Sequence, residues 1–153
     1  MTTPATSLDS LPLLANLTHT QRAAIAGVSR METYEPGARM FDEGGLADQC
    51  WVVLSGCVML DAFVPPGGHV VLQSIGPGEL IGLSWLVPPY RWHFGATAVS
   101  PTRAVVVDTA ALRALANDDP ALGYQLALIL IEALVNRLQA TRIRLLDLYR
   151  NPS

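Results

Sequence analysis

Residues 76–99, GPGELIGLSWLVPPYRWHFGATAV, combine the turns and side chains best suited to chemistry in this sequence. A Gly-Pro-Gly turn at 76–78 leads into an apolar segment over 80–87, which we expect to form a short helix. An aromatic and basic cluster follows at 90–94, and a Gly-Ala pair at 95–96 opens a strand. Because small residues let a ligand approach backbone N–H groups closely, this stretch predicts a pocket for a small anion.

No recognisable set of catalytic side chains accompanies the predicted pocket. The sequence contains no GxSxG, HExxH or Walker-type phosphate loop, and its carboxylates are scattered over turns. Cys50 and Cys57 lie in one apolar segment, and there are three histidines, fewer donors than a metal or iron–sulfur site needs. We therefore expect structural thiols, no metal, no cofactor and a protein that is not an enzyme.

The composition indicates one folded domain. Of the 153 residues, 50% are apolar and 15% are charged, which suits a sizeable core. The net charge is −3, and all ten basic residues are arginines, enriched only near the C-terminus. We interpret that enrichment as a solvated helix face rather than a nucleic-acid surface. The N-terminus lacks a signal sequence, and no uncharged apolar run approaches about 20 residues, so we expect a cytoplasmic protein without a membrane span.

The N-terminal part is predicted to be a tail over residues 1–7, followed by a domain over residues 8–153. Thr18 is followed three residues later by Gln21, the pattern of a capping box at the start of a helix over 20–28. Such a short helix is unstable alone, so it is expected to pack on the rest of the domain.

From residue 31 the spacing of apolar residues changes from a helical period to a period of two. About eight short strands with frequent turns are indicated, and the last two, 96–99 and 102–108, are expected to pair with each other. The predicted fold class is α+β, an antiparallel β-roll or jelly roll with N-terminal helices and a long C-terminal helix.

The final helix is predicted to begin at Pro120, capped by Asp119, and to run to about residue 149. One apolar stripe is expected to lie on the domain's own sheet: Leu122, Leu126, Ile129, Leu130 and Ala133. A second stripe has the heptad spacing of a two-stranded coiled coil: Ile131, Leu134, Leu138, Thr141, Leu145 and Leu148. We expect a parallel homodimer through this second stripe; a helix that folds back within one chain is the alternative.

Four stretches in this order resemble the cyclic nucleotide-binding domain of the Crp/Fnr superfamily. They are YEPGARMFDEG at 34–44, VVLSGCV at 52–58, GPGELIG at 76–82 and RLQAT at 137–141. The resemblance spans roughly residues 8–149. It implies a β-roll that binds a nucleotide or another small molecule beside a dimerisation helix, where Thr141 reaches towards the ligand.

The resemblance also locates differences from the family in the centre of the site. Leu83 lies where the family has a glutamate for the ribose hydroxyl, and Phe94 lies where it has an arginine for the cyclic phosphate. Gly95 lies where it has serine or threonine, and Ala96 matches. We therefore expect weak or no binding of cAMP and cGMP, and sub-micromolar binding of cAMP would point to Arg91 as the replacement cation. For a different ligand, the anion contacts are expected from Arg91, Arg103 or the backbone at 82–84. The implied ligand-binding residues are Gly82, Leu83, Ser84, Arg91, Phe94, Gly95, Ala96 and Thr141.

Three functions remain open from the sequence. The first is a sensor domain for a small molecule or an unusual nucleotide, and the second is a dimeric interaction module whose pocket is filled by its own side chains. The third is a Crp/Fnr-type transcription regulator acting without its own DNA-binding domain, because few residues follow Tyr149. The expected partners are a small molecule, a second copy and a regulatory protein, with no direct DNA binding.

Overall fold

Eight strands form two four-stranded antiparallel sheets, and helices lie at both ends of the chain. The structure is a computed structural model that describes residues 3–150. The elements are α1 (Pro4–Asp9), a 3₁₀ turn (Pro12–Leu14), α2 (His19–Ala26), β1 (Ser29–Tyr34), β2 (Arg39–Phe41), β3 (Gln49–Ser55), β4 (Val58–Val64), β5 (Gly68–Ile75), β6 (Leu80–Ile81), β7 (Gly95–Ala98), β8 (Thr102–Asp108), α3 (Thr109–Asp118) and α4 (Pro120–Arg150).

The two sheets have the strand orders β1-β8-β3-β6 and β2-β7-β4-β5. The core between them is made of apolar side chains from strands of both sheets, such as Val53 and Val105 in the first and Val58 and Ala96 in the second. Burial alternates along β7, where Ala96 and Ala98 are fully buried and Thr97 between them is not, as expected for a strand with one face on the core. The predicted α+β β-roll is confirmed.

The prediction that the last two strands pair with each other is wrong. β7 belongs to one sheet and β8 to the other, and the chain crosses between them at Ser100-Pro101. This crossing packs against the β3–β4 bend, where the backbone N–H of Cys57 donates to Ser100 Oγ at 2.9 Å. Gly56 permits the approach, because a Cβ there would lie 2.4 Å from the Pro101 carbonyl oxygen.

The N-terminal residues differ from the predicted tail. Residues 4–7 belong to α1, which Thr3 caps, and Ser7 and Leu8 are buried. An apolar side chain that reaches the core offsets the entropy cost of ordering so short a helix. Residues 1–2 lie outside the described part of the chain. The capping box of Thr18 and Gln21 is confirmed at the start of α2.

The helix predicted over residues 80–87 does not form. β6 takes Leu80–Ile81, and residues 82–94 follow as turns and an isolated bridge. Gly82 adopts a positive φ of 95°, which a right-handed helix cannot accommodate. Only five residues then separate it from Pro88, too few to offset the cost of nucleating a helix.

Helix α4 begins as predicted, with Asp119 Oδ1 accepting from the backbone N–H groups of Ala121 and Leu122 at 3.1 and 3.3 Å. Its 31 residues extend for about 46 Å. Leu122, Leu126 and Leu130 are buried in the core, whereas the C-terminal half is largely exposed.

By length and composition α4 is the one helix in residues 3–150 that meets the criteria for a membrane span, with a mean hydropathy of 1.4 over its most apolar window. A helix buried in the core of a domain passes the same test, but only 17% of this window is buried in the single chain. Helix α4 thus packs on the core along one side, at Leu122, Leu126 and Leu130.

Candidate functional site

Three of the predicted ligand-binding residues, Leu83, Ser84 and Phe94, come together at the wall of a cavity of about 240 Å³. We call it the cassette cavity. Its remaining lining residues come from the same segment and from α4: Val87, Pro88, His93, Leu134 and Arg137. The wall is therefore mostly apolar, with one hydroxyl, one imidazole and one guanidinium. The two family positions that recognise a cyclic nucleotide, at Leu83 and Phe94, both face this cavity without a charge.

A stack of aromatic rings holds the segment in place beneath the cavity. The Phe41 ring lies 4.3 Å from the Trp92 ring and 5.0 Å from the Trp51 ring, centroid to centroid. Trp51 and Trp92 are buried, and the Phe94 ring tilts against Phe41 at 6.0 Å. These rings belong to the core, and only Phe94 among them lines the cassette cavity.

Gly82 supports this stack rather than lining the cavity. A Cβ at Gly82 would lie 2.9 Å from the Trp92 ring and 3.2 Å from the Gln49 carbonyl oxygen. The glycine is thus required by the buried tryptophan against which it packs. Its expected role as a ligand contact is not what the geometry shows.

Helix α3 fixes the other end of the segment. Arg113 Nη1 donates to the Trp85 carbonyl oxygen at 2.5 Å, and its guanidinium lies over the Tyr90 ring at 4.6 Å. Trp85 is buried in the core, with an indole N–H that has no partner in residues 3–150. Interactions with α3 therefore order the turns between Gly82 and the Pro88-Pro89 pair.

Two predicted ligand contacts, Gly95 and Ala96, lie away from the cassette cavity. Ala96 is fully buried between the sheets. A Cβ at Gly95 would lie 2.0 Å from Arg39 Nη2, so the absent side chain makes room for the Arg39 guanidinium. Arg39 there donates two hydrogen bonds to the buried carboxylate of Asp61, at 2.5 and 3.1 Å. This ion pair behind Gly95 could not be expected from the sequence, because Arg39, Asp61 and Gly95 lie far apart along the chain.

Arg91 does not act as the cation of the cavity. It is exposed, pairs through its backbone with Leu46, and donates from Nη1 to the Gly44 carbonyl oxygen at 3.1 Å. It therefore ties the segment to the β2–β3 loop, and it does not line the cassette cavity.

Arg137 of α4 brings the only guanidinium among the cavity's lining residues. It is partly buried, donates from Nη2 to the Leu80 carbonyl oxygen, and its Cζ lies 5.8 Å from the Phe94 ring centroid. Burial lowers the pKa of Arg137 to about 10, against a smaller raising effect of the Glu79 carboxylate, so the side chain stays charged at neutral pH. It also lines a neighbouring cavity of about 220 Å³ with Glu79, Glu132 and Asn136.

The arginines expected on a solvated helix face divide into two kinds. Arg137 and Arg144 donate to the carbonyl oxygens of Leu80 and Leu72 and so dock α4 on the β-roll. Arg142 and Arg150 are exposed. The inward position of Arg137 could have been predicted from the sequence, because Arg137 lies four residues after Ala133 and so continues the inward stripe of α4.

Thr141 and the second stripe of α4 lie at the surface of the single chain. Thr141 Oγ1 donates to the Arg137 carbonyl oxygen at 2.9 Å and does not line the cassette cavity. Leu134 belongs both to the stripe and to the cavity wall. The exposed fractions of the apolar members are 55% for Ile131, 53% for Leu134, 68% for Leu138, 52% for Leu145 and 64% for Leu148.

Residues 3–150 contain no cluster of three or more His, Cys, Asp or Glu side chains that could hold a metal ion. Cys50 is buried, and burial raises the pKa of its thiol to about 12. Cys57 is partly buried, and the two thiols form no disulfide.

Comparison with known proteins places this geometry in a family. The model of the cyclic nucleotide-binding domain matches residues 31–119. A CRP-like cAMP-activated global transcriptional regulator of Mycobacterium tuberculosis is 31% identical over 112 residues, which cover 73% of this chain and 48% of the relative. The chain thus spans about half the length of the curated relatives it matches.

Solved structures agree with this relationship. A Geobacter metallireducens protein, provisionally assigned as a cyclic nucleotide-binding protein, has a TM-score of 0.79 at 31% identity, covering 90% of this chain and 99% of its own. The catabolite activator protein of Thermus thermophilus has a TM-score of 0.69 at 26% identity, covering 90% and 63%. The chain belongs to the cyclic nucleotide-binding domain family and is of the Crp/Fnr type.

Proposed function

We propose that this chain is a regulatory sensor domain, not an enzyme, and that its signal is a small molecule bound in the cassette cavity. One observation carries the proposal: the cavity wall is built from two separate elements. Leu83 and Phe94 come from the segment after β6, and Arg137 comes from α4. A molecule in the cavity contacts both elements at once, so its binding energy acts on the position of α4.

We propose further that α4 pairs with α4 of a second copy. A lone chain exposes a row of large apolar side chains along the C-terminal half of this helix. Burying such a row against an equal row is favourable, and the heptad spacing suits a parallel two-stranded seam. In this arrangement the partner helix would lie beside the cassette cavity, because Leu134 belongs to both surfaces.

From the relatives we infer a regulatory role for this chain, but not the same ligand. The Mycobacterium tuberculosis relative is a cAMP-activated transcriptional regulator about twice as long as the matched part. In the present chain the two recognition positions for a cyclic nucleotide hold Leu83 and Phe94, which do not fit the ribose hydroxyl or the phosphate. We therefore assign a cytoplasmic sensor whose ligand differs from cAMP and which acts through a regulatory protein.

The second candidate function is a dimeric interaction module that needs no ligand. The exposed apolar row on α4 favours it, since that row suits a protein surface whatever the cavity holds. Under this alternative, α4 would be the functional surface and the cavity would be a packing defect between α4 and the segment.

Native mass spectrometry of the protein purified from its own host tests the two candidates. The sensor predicts a dimer that carries an additional small mass, released on denaturation, and a thermal shift when that molecule is added back. A dimer without additional mass, and without a thermal shift across a panel of nucleotides and metabolites, would favour the interaction module instead.

A further inference from the structure

We propose that Arg137 is the anion-recognition residue of the cassette cavity, and that the ligand is a small organic anion with an apolar body. This inference rests on the proposed sensor function and specifies its ligand class. It differs from cyclic nucleotide recognition in two respects: the anion-binding cation comes from α4 instead of the β-roll, and no carboxylate is among the lining residues to accept from a ribose hydroxyl.

The first argument is that Arg137 is a partly buried cation without a paired carboxylate. The ion pairs within residues 3–150 involve Arg22, Arg30, Arg39 and His69, and none involves Arg137. Removing a guanidinium from water is costly unless an anion or several acceptors compensate it. The described contacts supply one hydrogen-bond acceptor, the Leu80 carbonyl oxygen, and the Glu79 carboxylate acts on Arg137 without forming an ion pair with it. An anionic ligand would supply the missing compensation.

The second argument is the orientation of the guanidinium. It lies over the face of Phe94, with 5.8 Å between Cζ and the ring centroid, a geometry in which the ring attracts the cation. Phe94 occupies the chain position where the family carries its phosphate-binding arginine. The ring thus holds the Arg137 guanidinium beside the place that the family's own cation would take.

The third argument concerns the rest of the wall. Leu83, Val87, Pro88, Phe94 and Leu134 give it an apolar surface, Ser84 adds one hydroxyl, and His93 adds an imidazole. The volume of about 240 Å³ lies just below the range of about 300–1,000 Å³ usual for pockets of drug-sized ligands. A carboxylate or phosphate ester with a compact hydrocarbon or aromatic body fits these three properties, and its anionic group would take the fork of Arg137.

A matched pair of probes tests this inference: 1-naphthylacetate, an anion, and 1-naphthylacetamide, its neutral counterpart with the same aromatic body. Binding is followed by NMR titration of the methyl groups of Leu83, Val87 and Leu134. The wild-type chain is expected to bind the anion about tenfold or more tightly than the amide, because a charge-assisted hydrogen bond is lost with the amide.

The variants Arg137→Met, Arg137→Lys and Arg142→Met identify the residue responsible. Arg137→Met is expected to bind both probes equally, whereas Arg137→Lys retains part of the preference through its charge. Arg142→Met removes an exposed cation from the same helix and is expected to behave as wild type. The thermal unfolding midpoint of Arg137→Met is expected to stay near the wild-type value, because loss of the hydrogen bond to the Leu80 carbonyl oxygen and removal of a partly buried charge oppose each other.

Two outcomes would overturn the inference, and they are distinguishable. If both probes move the cavity methyls with equal affinity in the wild type, or if the preference survives in Arg137→Met, the cavity binds ligands but Arg137 does not select an anion. If neither probe moves these methyls at millimolar concentration, the inferred ligand class is overturned, whereas the sensor function itself is decided by the native mass spectrometry described above.

Discussion

Asp61 illustrates how one residue outside the cassette cavity bears on the stability of the β-roll. Its carboxylate is buried on β4, receives two hydrogen bonds from Arg39, and lies 3.2 Å from His69 Nδ1. The hydrogen bonds from Arg39, supported by His69, hold the pKa of Asp61 below its usual range despite the opposing effect of burial. Gly95 contributes to this ion pair because it leaves space for the Arg39 guanidinium.

Asp61→Asn is expected to lower the free energy of unfolding at pH 7 by about 1.5–3 kcal/mol, the value of a charge-assisted hydrogen bond. Because the folded pKa of Asp61 is depressed, the ion pair stabilises the fold fully above the unfolded pKa of about 3.9 and loses this effect as the pH falls through the lower folded pKa. The variant should therefore lose less stability than the wild type on acidification below about pH 4. Denaturant unfolding at both pH values measures the difference.

Asp42→Asn is the matched control. Asp42 also pairs with Arg39, at 2.8 Å, but its side chain is 78% exposed. An exposed ion pair contributes at most about 1 kcal/mol, so this variant should unfold close to the wild type. Equal effects of the two substitutions would show that Asp61 gains nothing from its burial.

Leu83 and Phe94 lead to a second prediction at the residue scale, on cyclic nucleotides. Without a carboxylate at 83 and a guanidinium at 94, cAMP and cGMP should bind weakly or not at all in isothermal titration calorimetry. The expected deficit is roughly two to four powers of ten in affinity relative to a site that has both groups. Sub-micromolar binding of cAMP would contradict this, and its loss in Arg137→Met would then identify the replacement cation.

Helix α4 carries two apolar stripes, and the second of them predicts contact with a second copy of the chain. Its inward stripe reaches the core at Leu122, Leu126 and Leu130, as predicted, while the heptad stripe remains a prediction about a second copy. Leu138 is 68% exposed and lies in the middle of that stripe, so a charge there would be buried in the proposed seam.

Leu138→Asp is expected to convert the dimer into a monomer in analytical ultracentrifugation, because each pair of helices would bury two like charges. Gln139→Asp introduces the same charge at the neighbouring exposed position outside the stripe and should remain dimeric. A dimer that persists unchanged in Leu138→Asp would refute the seam.

In the segment between β6 and β7, the local pattern of apolar residues was insufficient to predict the secondary structure. Its apolar residues suggested a helix, but the packing of Gly82 on Trp92 and the contact of Arg113 with the Trp85 carbonyl impose turns. Trp92 follows the apolar residues only after the Pro88-Pro89 pair, and Arg113 lies outside the segment, on α3. A prediction from neighbouring residues alone could not include them.

For the whole molecule, the order and type of most elements could be predicted, because capping residues, turn glycines and apolar periods are local signals; α1 and the turns after β6 are the exceptions. The separation of β7 and β8 into opposite sheets could not be predicted, because the chain crosses between the sheets at Ser100-Pro101, where it packs against Gly56, a residue distant in sequence. The site was predicted in part: Leu83, Ser84 and Phe94 line the cavity, whereas Arg91 does not. The role proposed for Arg137 could not be predicted from the sequence, because it depends on how α4 docks on the β-roll.

Leu134 lies both in the wall of the cassette cavity and in the proposed dimer seam. Ligand binding and dimerisation are therefore expected to affect each other. A ligand that binds the dimer more tightly than the monomer also lowers the dissociation constant of the dimer, because the coupling between the two binding equilibria is reciprocal. The apparent affinity for the ligand would then rise with the concentration of the protein itself. Cells could therefore adjust the threshold of the sensor through its expression level, without any change in the cavity.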